Sequence, residues 1–132
     1  MILGIGIDSV EIDRFEPWLQ FSDTKLKRVF LPSEIAYIKA NSSKATERLA
    51  ARFSAKEAFY KALCQLNPKK RIPFLTLCRQ VSVISNGPPQ LIIDWSNLLP
   101  NNYQPKNLQT HISITHTRTI ATALVIIEKS VQ

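Results

Sequence analysis

The stretch ERLAARFSAKEAFYKALCQL, residues 47–66, constrains this chain more than any other. Leu49, Phe53, Tyr60, Leu63 and Leu66 recur at steps of three and four, and five alanines add helix propensity. Asn67-Pro68 stops it, because a residue ahead of proline avoids the helical region. A long helix with an apolar face needs a second layer to cover it, and the flanking segments supply strands. Residues 2–12 read as a buried strand holding Gly4 and Gly6, and glycines inside a strand mark close approach by a backbone or a ligand. VSVIS and QLIIDW flank the turn signal Asn86-Gly87-Pro88-Pro89, while HISITH and IATALVIIE flank Thr117-Arg118-Thr119.

Shorter helices fit between the first strand and the long helix. Pro17 marks a turn or helix start, Asp23-Thr24 could cap a short helix through Phe30, and Pro32-Ser33-Glu34 opens another. Asn41-Ser42-Ser43 interrupts that one, and 98–107 reads as polar loop. The order of strand, helices and then strands predicts an α+β class: an antiparallel sheet packed with one long and several short helices, as a single domain over 1–132. Hydrophobic residues make up 45%, enough for a core and against disorder. With only 132 residues, oligomerisation is a natural way to bury more surface.

Charge is unevenly spread. The net is +7. Between Thr24 and Arg79 thirteen Lys or Arg stand against Glu34, Glu47 and Glu57, a local net of +10. From Asp8 to Asp23 five acids surround the single cation Arg14. A basic middle implies an anionic partner, whether nucleic acid, phosphorylated cofactor, acidic protein or membrane surface. No basic segment precedes the short apolar start, and ALVIIE is too short for a bilayer, so a soluble cytoplasmic protein is expected. Cys64 and Cys78 form neither a disulfide framework nor a metal cluster and read as reduced, mostly buried thiols.

Several side chains stand out, each with an ordinary explanation beside a chemical one. Asp8 ends the apolar run ILGIGI; it either caps the next turn or holds a hard cation such as Mg²⁺ through carboxylate oxygen. Glu57 sits near the apolar positions of the long helix, four residues before Lys61, as a plain ion pair or as part of a site. Arg48, Arg52 and Lys56 also step by four, forming a solvated stripe or the positive wall of a phosphate cleft. His111 and His116 have odd spacing, which places them on opposite strand faces and argues against a shared metal.

Taken together, GIGIDSVEIDR, RFSAKEAFYKA, NGPPQL and HISITHT, in that order, resemble the holo-acyl-carrier-protein synthase family of phosphopantetheinyl transferases across essentially the whole chain. The resemblance implies transfer of 4′-phosphopantetheine from coenzyme A to a serine of an acidic acyl carrier protein, serving fatty acid biosynthesis. It implies Asp8 and Glu57 as Mg²⁺ ligands and Lys61 as stabiliser of phosphate or leaving-group charge. It also implies Arg52, Lys56 and Lys61, with Ser113, Thr115 and His116, beside the coenzyme. Arg14 and Trp18 fall where the family meets its carrier protein, and the serine proton goes to Glu57 or to water on the metal. A homotrimer is implied, with sites at subunit interfaces: Asp8, Glu57 and Lys61 from one subunit, Ser113 to His116 from the next.

One departure is plain. Family members continue the KA of the helix into a glycine-rich stretch, whereas here the chain reads KALCQLNPKKRIP, with Lys69, Lys70 and Arg71 in place of glycine. Two readings therefore stand beside the transferase. One is a carrier-binding module of the same fold without turnover. The other is a small basic nucleic-acid-binding domain, which lacks an aromatic platform or reading motif, so neither nucleic acid nor membrane is expected as a partner.

Overall fold

A computed structural model describes residues 1–130. Among the described residues, five strands and four α-helices run in the order β1 (Ile2–Glu11), α1 (Asp23–Leu26), α2 (Pro32–Lys39), α3 (Ala45–Leu66), α4 (Phe74–Cys78), β2 (Val81–Ile84), β3 (Gln90–Ile93), β4 (Leu108–His116) and β5 (Ile120–Lys129). Sheet order is β1-β5-β4 with both pairs antiparallel, and β2-β3 form a separate antiparallel hairpin. The α+β class expected from the sequence is what forms.

Helix α3 lies across the three-stranded sheet, and β1 permits the contact. A Cβ added to Gly6 would lie 1.9 Å from the carbonyl oxygen of Ala58, and one on Gly4 2.2 Å from that of Ala62. The close approach expected of these glycines is therefore to the helix backbone. Alanines 55, 58 and 62 on α3 meet Ala123, Val125 and Ile127 of β5, all buried. Because the obstructing atoms are backbone, Gly6→Ala should destabilise at or above the upper end of the ~1–3 kcal/mol typical of overpacking. Ile5→Ala, on the exposed side of the same strand, should cost far less. Paired thermal melts of the two variants check this, and equal losses would contradict it.

Alternation corrects the buried-strand reading of β1. Gly4, Gly6, Asp8 and Val10 face α3, whereas Ile2, Ile5 and Ile7 are exposed. The apolar run gave no period-two signal because both faces of the strand are apolar. Ile5 pairs with Ile126 and Ile7 with Leu124, so the outer face of the sheet carries an apolar band.

Other boundaries move for local reasons. The first short helix is capped by Ser22, whose side chain accepts from Lys25 N–H, and ends at Leu26 instead of Phe30. Residues 12–20 form a 3-10 helix, Ile12–Gln20, with Pro17 inside it. In that tighter helix side chains three apart eclipse, so Trp18 lies over Phe15 with ring centroids 5.0 Å apart, edge to face. Helix α4 carries little periodic signal in five residues and was not expected. Cys78 is buried there, and burial pushes its thiol up to about 12. No helix among the described residues is long and apolar enough to cross a membrane.

Candidate active site

Asp8, Glu57 and Lys61, far apart in sequence, come together where β1 meets α3. Asp8 is on the helix-facing side of β1, and its main-chain oxygen accepts from Ser54 Oγ at 2.8 Å, which fixes the strand against the helix. Lys61 Nζ donates to Asp8 Oδ1 at 3.1 Å and to the Ile7 carbonyl at 3.0 Å. The Asp8 side chain is only 14% exposed, and its second oxygen, Oδ2, is buried without a partner. A buried carboxylate oxygen lacking a donor is costly, and a cation is what such an atom would satisfy.

Glu57 completes the cluster electrostatically. Burial holds its carboxyl above the usual glutamate range and the Asp8 charge pushes it further, while Lys61 and Arg14 oppose the shift. Two carboxylates thus share a site with one lysine at its edge. No group of three or more His, Cys, Asp and Glu side chains forms a metal cluster among the described residues. Two hard oxygen ligands with open positions suit Mg²⁺, which keeps waters and phosphate oxygens in its shell. The residues present therefore fit that ion.

Arg14 is exposed near this cluster, its guanidinium 5.2 Å from the Phe15 ring centroid and 5.9 Å from that of Phe53. Trp18 is half-buried among Phe15, Phe21 and Phe53, so it packs against the same two rings, Phe15 and Phe53, that Arg14 overlies.

A second, basic pocket lies on the opposite flank of α3, between α2, the β2-β3 hairpin and β4. Arg52 is 4% exposed; Nη2 donates to Ser85 Oγ at 3.1 Å, and Nε is buried without a partner. Its pKa is lowered, mainly by burial, with Tyr37 and Glu34 opposing. Ser33, Tyr37, Ser85 and Asn86 line one side of it, and Arg48 and Ile114 the other. His116 faces this flank and its Nε2 lies 3.0 Å from Glu47 Oε1. Ser113 and Thr115 do not join either cluster, because alternation along β4 turns them to the outer face beside Leu124 and Thr122.

Lys56 is a correction. Expected beside the coenzyme, it is fully buried within this chain, and its three N–H bonds go to Glu34 Oε1 (2.6 Å), the Val29 carbonyl (2.7 Å) and the Cys78 carbonyl (2.9 Å). No donor is left for a ligand. Its partner Glu34 also accepts from the Leu31 and Val83 amides, tying α2 to β2. Four-residue steps on α3 correctly align Arg48, Arg52 and Lys56, but the stripe is covered by α2 and the hairpin instead of solvated. Sequence reasoning missed Glu34 and Tyr37; an acid at the third position of α2 was the only available signal for the former.

The glycine-free stretch extends α3 to Leu66, after which Lys69, Lys70 and Arg71 are exposed.

Comparison with known proteins places this geometry. Residues 4–123 match the family model of the 4′-phosphopantetheinyl transferase superfamily. A holo-[acyl-carrier-protein] synthase of Treponema denticola is 36% identical, covering 97% of this chain and 99% of the relative. One from Anaeromyxobacter sp. is 38% identical, covering 97% of each. Among solved structures, the Chronobacterium ammoniagenes ACPS-CoA complex aligns with a TM-score of 0.79 at 28% identity, over 96% of this chain and 97% of that one. The Bacillus anthracis holo-(acyl-carrier-protein) synthase in complex with CoA (3′,5′-ADP) aligns with a TM-score of 0.72 at 32% identity, over 98% and 99%. The paired carboxylates, the basic pocket and these matches agree: the chain belongs to the 4′-phosphopantetheinyl transferase superfamily.

Proposed function

We propose that the protein is a Mg²⁺-dependent holo-acyl-carrier-protein synthase, which moves 4′-phosphopantetheine from coenzyme A to a serine of an acyl carrier protein. The observation that carries the reading is the Asp8–Glu57 carboxylate pair, with an unsatisfied buried oxygen on Asp8 and Lys61 at its edge. Asp8 and Glu57 would hold Mg²⁺. When bound, that ion supplies charge neutralisation for the coenzyme's diphosphate as negative charge moves to the leaving group.

The chain's own residues do the rest by position and field. The carrier serine oxygen forms a bond to the β-phosphorus, and the bond from that phosphorus to the bridging oxygen breaks. 3′,5′-ADP departs with the bridging oxygen, and the hydroxyl proton passes to a carboxylate of the pair or to water. Lys61, half-exposed and held by Asp8 and the Ile7 carbonyl, points a cation at the site where leaving-group charge collects. Arg52 and His116 hold the far end of the coenzyme from the other flank of α3. A carrier protein, being acidic, would approach over exposed Arg14 and the rim of Trp18. Release of 3′,5′-ADP from coenzyme A, dependent on both apo-carrier protein and Mg²⁺, tests the activity; release without carrier protein would refute it.

The two clusters lie on opposite flanks of α3, so one coenzyme is best served by the carboxylates of one subunit and the basic pocket of another. The apolar band of exposed Ile5 and Ile7 with half-buried Leu124, and with Ser113 and Thr115 beside it, is where a homotrimer would pack. Inactive Glu57→Gln and inactive Arg52→Met subunits, mixed after mild dissociation, should recover part of the activity. A fully active monomer by light scattering would overturn the shared site.

A further inference from the structure

Glu57 has a second wall besides the one that Asp8 forms. On a helix turning by about 100° per residue, Phe53 and Tyr60 fall to one side of Glu57, whereas Lys61, paired with Asp8, falls to the other. The Phe74 ring bridges the two aromatics, with centroids 5.8 Å from Phe53 and 5.4 Å from Tyr60. The segment entering α4 therefore crosses α3 at the level of Glu57. The Tyr60 hydroxyl donates to the Ile72 carbonyl at 2.7 Å, which pins the residues just ahead of Phe74 to the same face.

Arg71 directly precedes the pinned residue and so emerges beside Tyr60. Burial and the adjacent Cys64 push the Tyr60 phenol above its usual range, and two charges act on it in opposite senses, Arg71 drawing it down and Glu57 pushing it up. The phenol is thus within electrostatic reach of both. Lys70 is placed differently, lining a hollow with Leu63, Cys64, Asn67 and Leu98 at the end of α3. Arg71 is exposed, and no carboxylate pairs with it among the described residues. Placed across Glu57 from Lys61, it gives the cleft a cation on each side. Its planar fork can donate to two oxygens of one phosphoryl group, which a lysine cannot match.

We propose that Arg71 is a further substrate-binding residue of this site, holding the phosphoryl group that is transferred, and that Tyr60 is the residue that positions it. The inference rests on the reading of the chain as a coenzyme A-dependent transferase. Lys61 serves the leaving side, so the cation across Glu57 from it falls to the β-phosphate, whose oxygens stay charged throughout the transfer.

Calorimetric titration of the full-length protein in Mg²⁺ with coenzyme A and with 3′,5′-ADP tests this, because 3′,5′-ADP keeps the leaving-group phosphate and lacks the transferred one. Arg71→Gln should weaken coenzyme A by about 10-fold, the low end for a charged hydrogen bond because the group is exposed, and leave 3′,5′-ADP unchanged. Arg71→Lys, which keeps the charge and loses the fork, should recover part of that loss. Tyr60→Phe, which keeps the ring against Phe74 and releases Ile72, should weaken coenzyme A by a smaller factor. Lys69→Gln, which removes an equally exposed charge two residues away, should leave both affinities as they are. Equal weakening of the two ligands by Arg71→Gln, the same effect from Lys69→Gln, or wild-type affinity for coenzyme A in Arg71→Gln would overturn the proposal. Wild-type binding by Tyr60→Phe would overturn the half of it that concerns Tyr60. Because the readout is binding, the selective loss of coenzyme A in Arg71→Gln, found in a protein without transfer activity, would uphold this inference while overturning the transferase reading.

Discussion

Asp8→Asn and Glu57→Gln should each cut transfer by at least about 10²–10³-fold, the range seen when one preorganised charge-stabilising group is removed. Both substitutions keep the shape of the side chain and take away a charge. Neither should unfold the protein. The Lys61–Asp8 pair is half-exposed on the lysine side, so its loss costs under ~1 kcal/mol. Asp8 repels Glu57, as the raised Glu57 pKa records, so neutralising either carboxylate relieves strain between them. Thermal midpoints at or above the wild-type value, alongside lost activity, would mark a site kept for chemistry at the expense of stability. Steady-state rates with apo-carrier protein, together with melting curves, read both quantities. Retained activity in either variant would remove that carboxylate from the site.

The second large effect lies in the core. Lys56 and Glu34 form a fully buried ion pair joined to four backbone groups, two in the segment ahead of α2 and one each in α4 and β2. Lys56→Met or Glu34→Gln alone strands the other partner in the interior, where an uncompensated charge costs about 3–5 kcal/mol. The double variant removes both charges, and the one side-chain oxygen of its glutamine can still accept from either the Leu31 or the Val83 amide. It should therefore be more stable than the sum of the single losses, with a coupling of up to ~3 kcal/mol. Denaturant unfolding of the four proteins in the cycle measures this directly. Additive losses would mean the pair contributes nothing as a pair.

These two cases show what could be read in advance and what could not. The helix over 47–66 was legible because its apolar steps and alanines agree, and Gly4 and Gly6 were legible because a strand interior has few other uses for glycine. Asp8 stood out as a charge at the end of an apolar run. The burial of Lys56 was not legible: its spacing from Arg52 resembles an exposed stripe, and only the arrival of α2 and the hairpin converts it into a core residue. The half-burial of Trp18 was not legible either, because Pro17 does not announce whether a 3-10 or an α turn will form. The outer face of β1 was hidden by being apolar on both sides, a pattern that burial against one helix alone does not explain. Spacing carries no information about Tyr37, whose role depends on two arginines from another helix.

The basic middle of the chain also acquires a division of labour. Arg48 and Arg52 are committed to a pocket and Lys56 to the core, whereas Lys69, Lys70 and Arg71 remain exposed after α3. Field from the exposed set would steer the acidic carrier protein proposed above and would weaken with salt, whereas the buried set would contribute little to steering.

The central claim is group transfer onto a carrier protein, and intact mass spectrometry of the acceptor tests it most directly. An acidic apo-acyl carrier protein incubated with this protein, coenzyme A and Mg²⁺ should gain the mass of one phosphopantetheine. The gain should be absent when its acceptor serine is replaced by alanine, and absent with the Asp8→Asn enzyme. An unmodified carrier under those conditions, with the protein folded and bound to it, would contradict the account and leave a carrier-binding module without turnover.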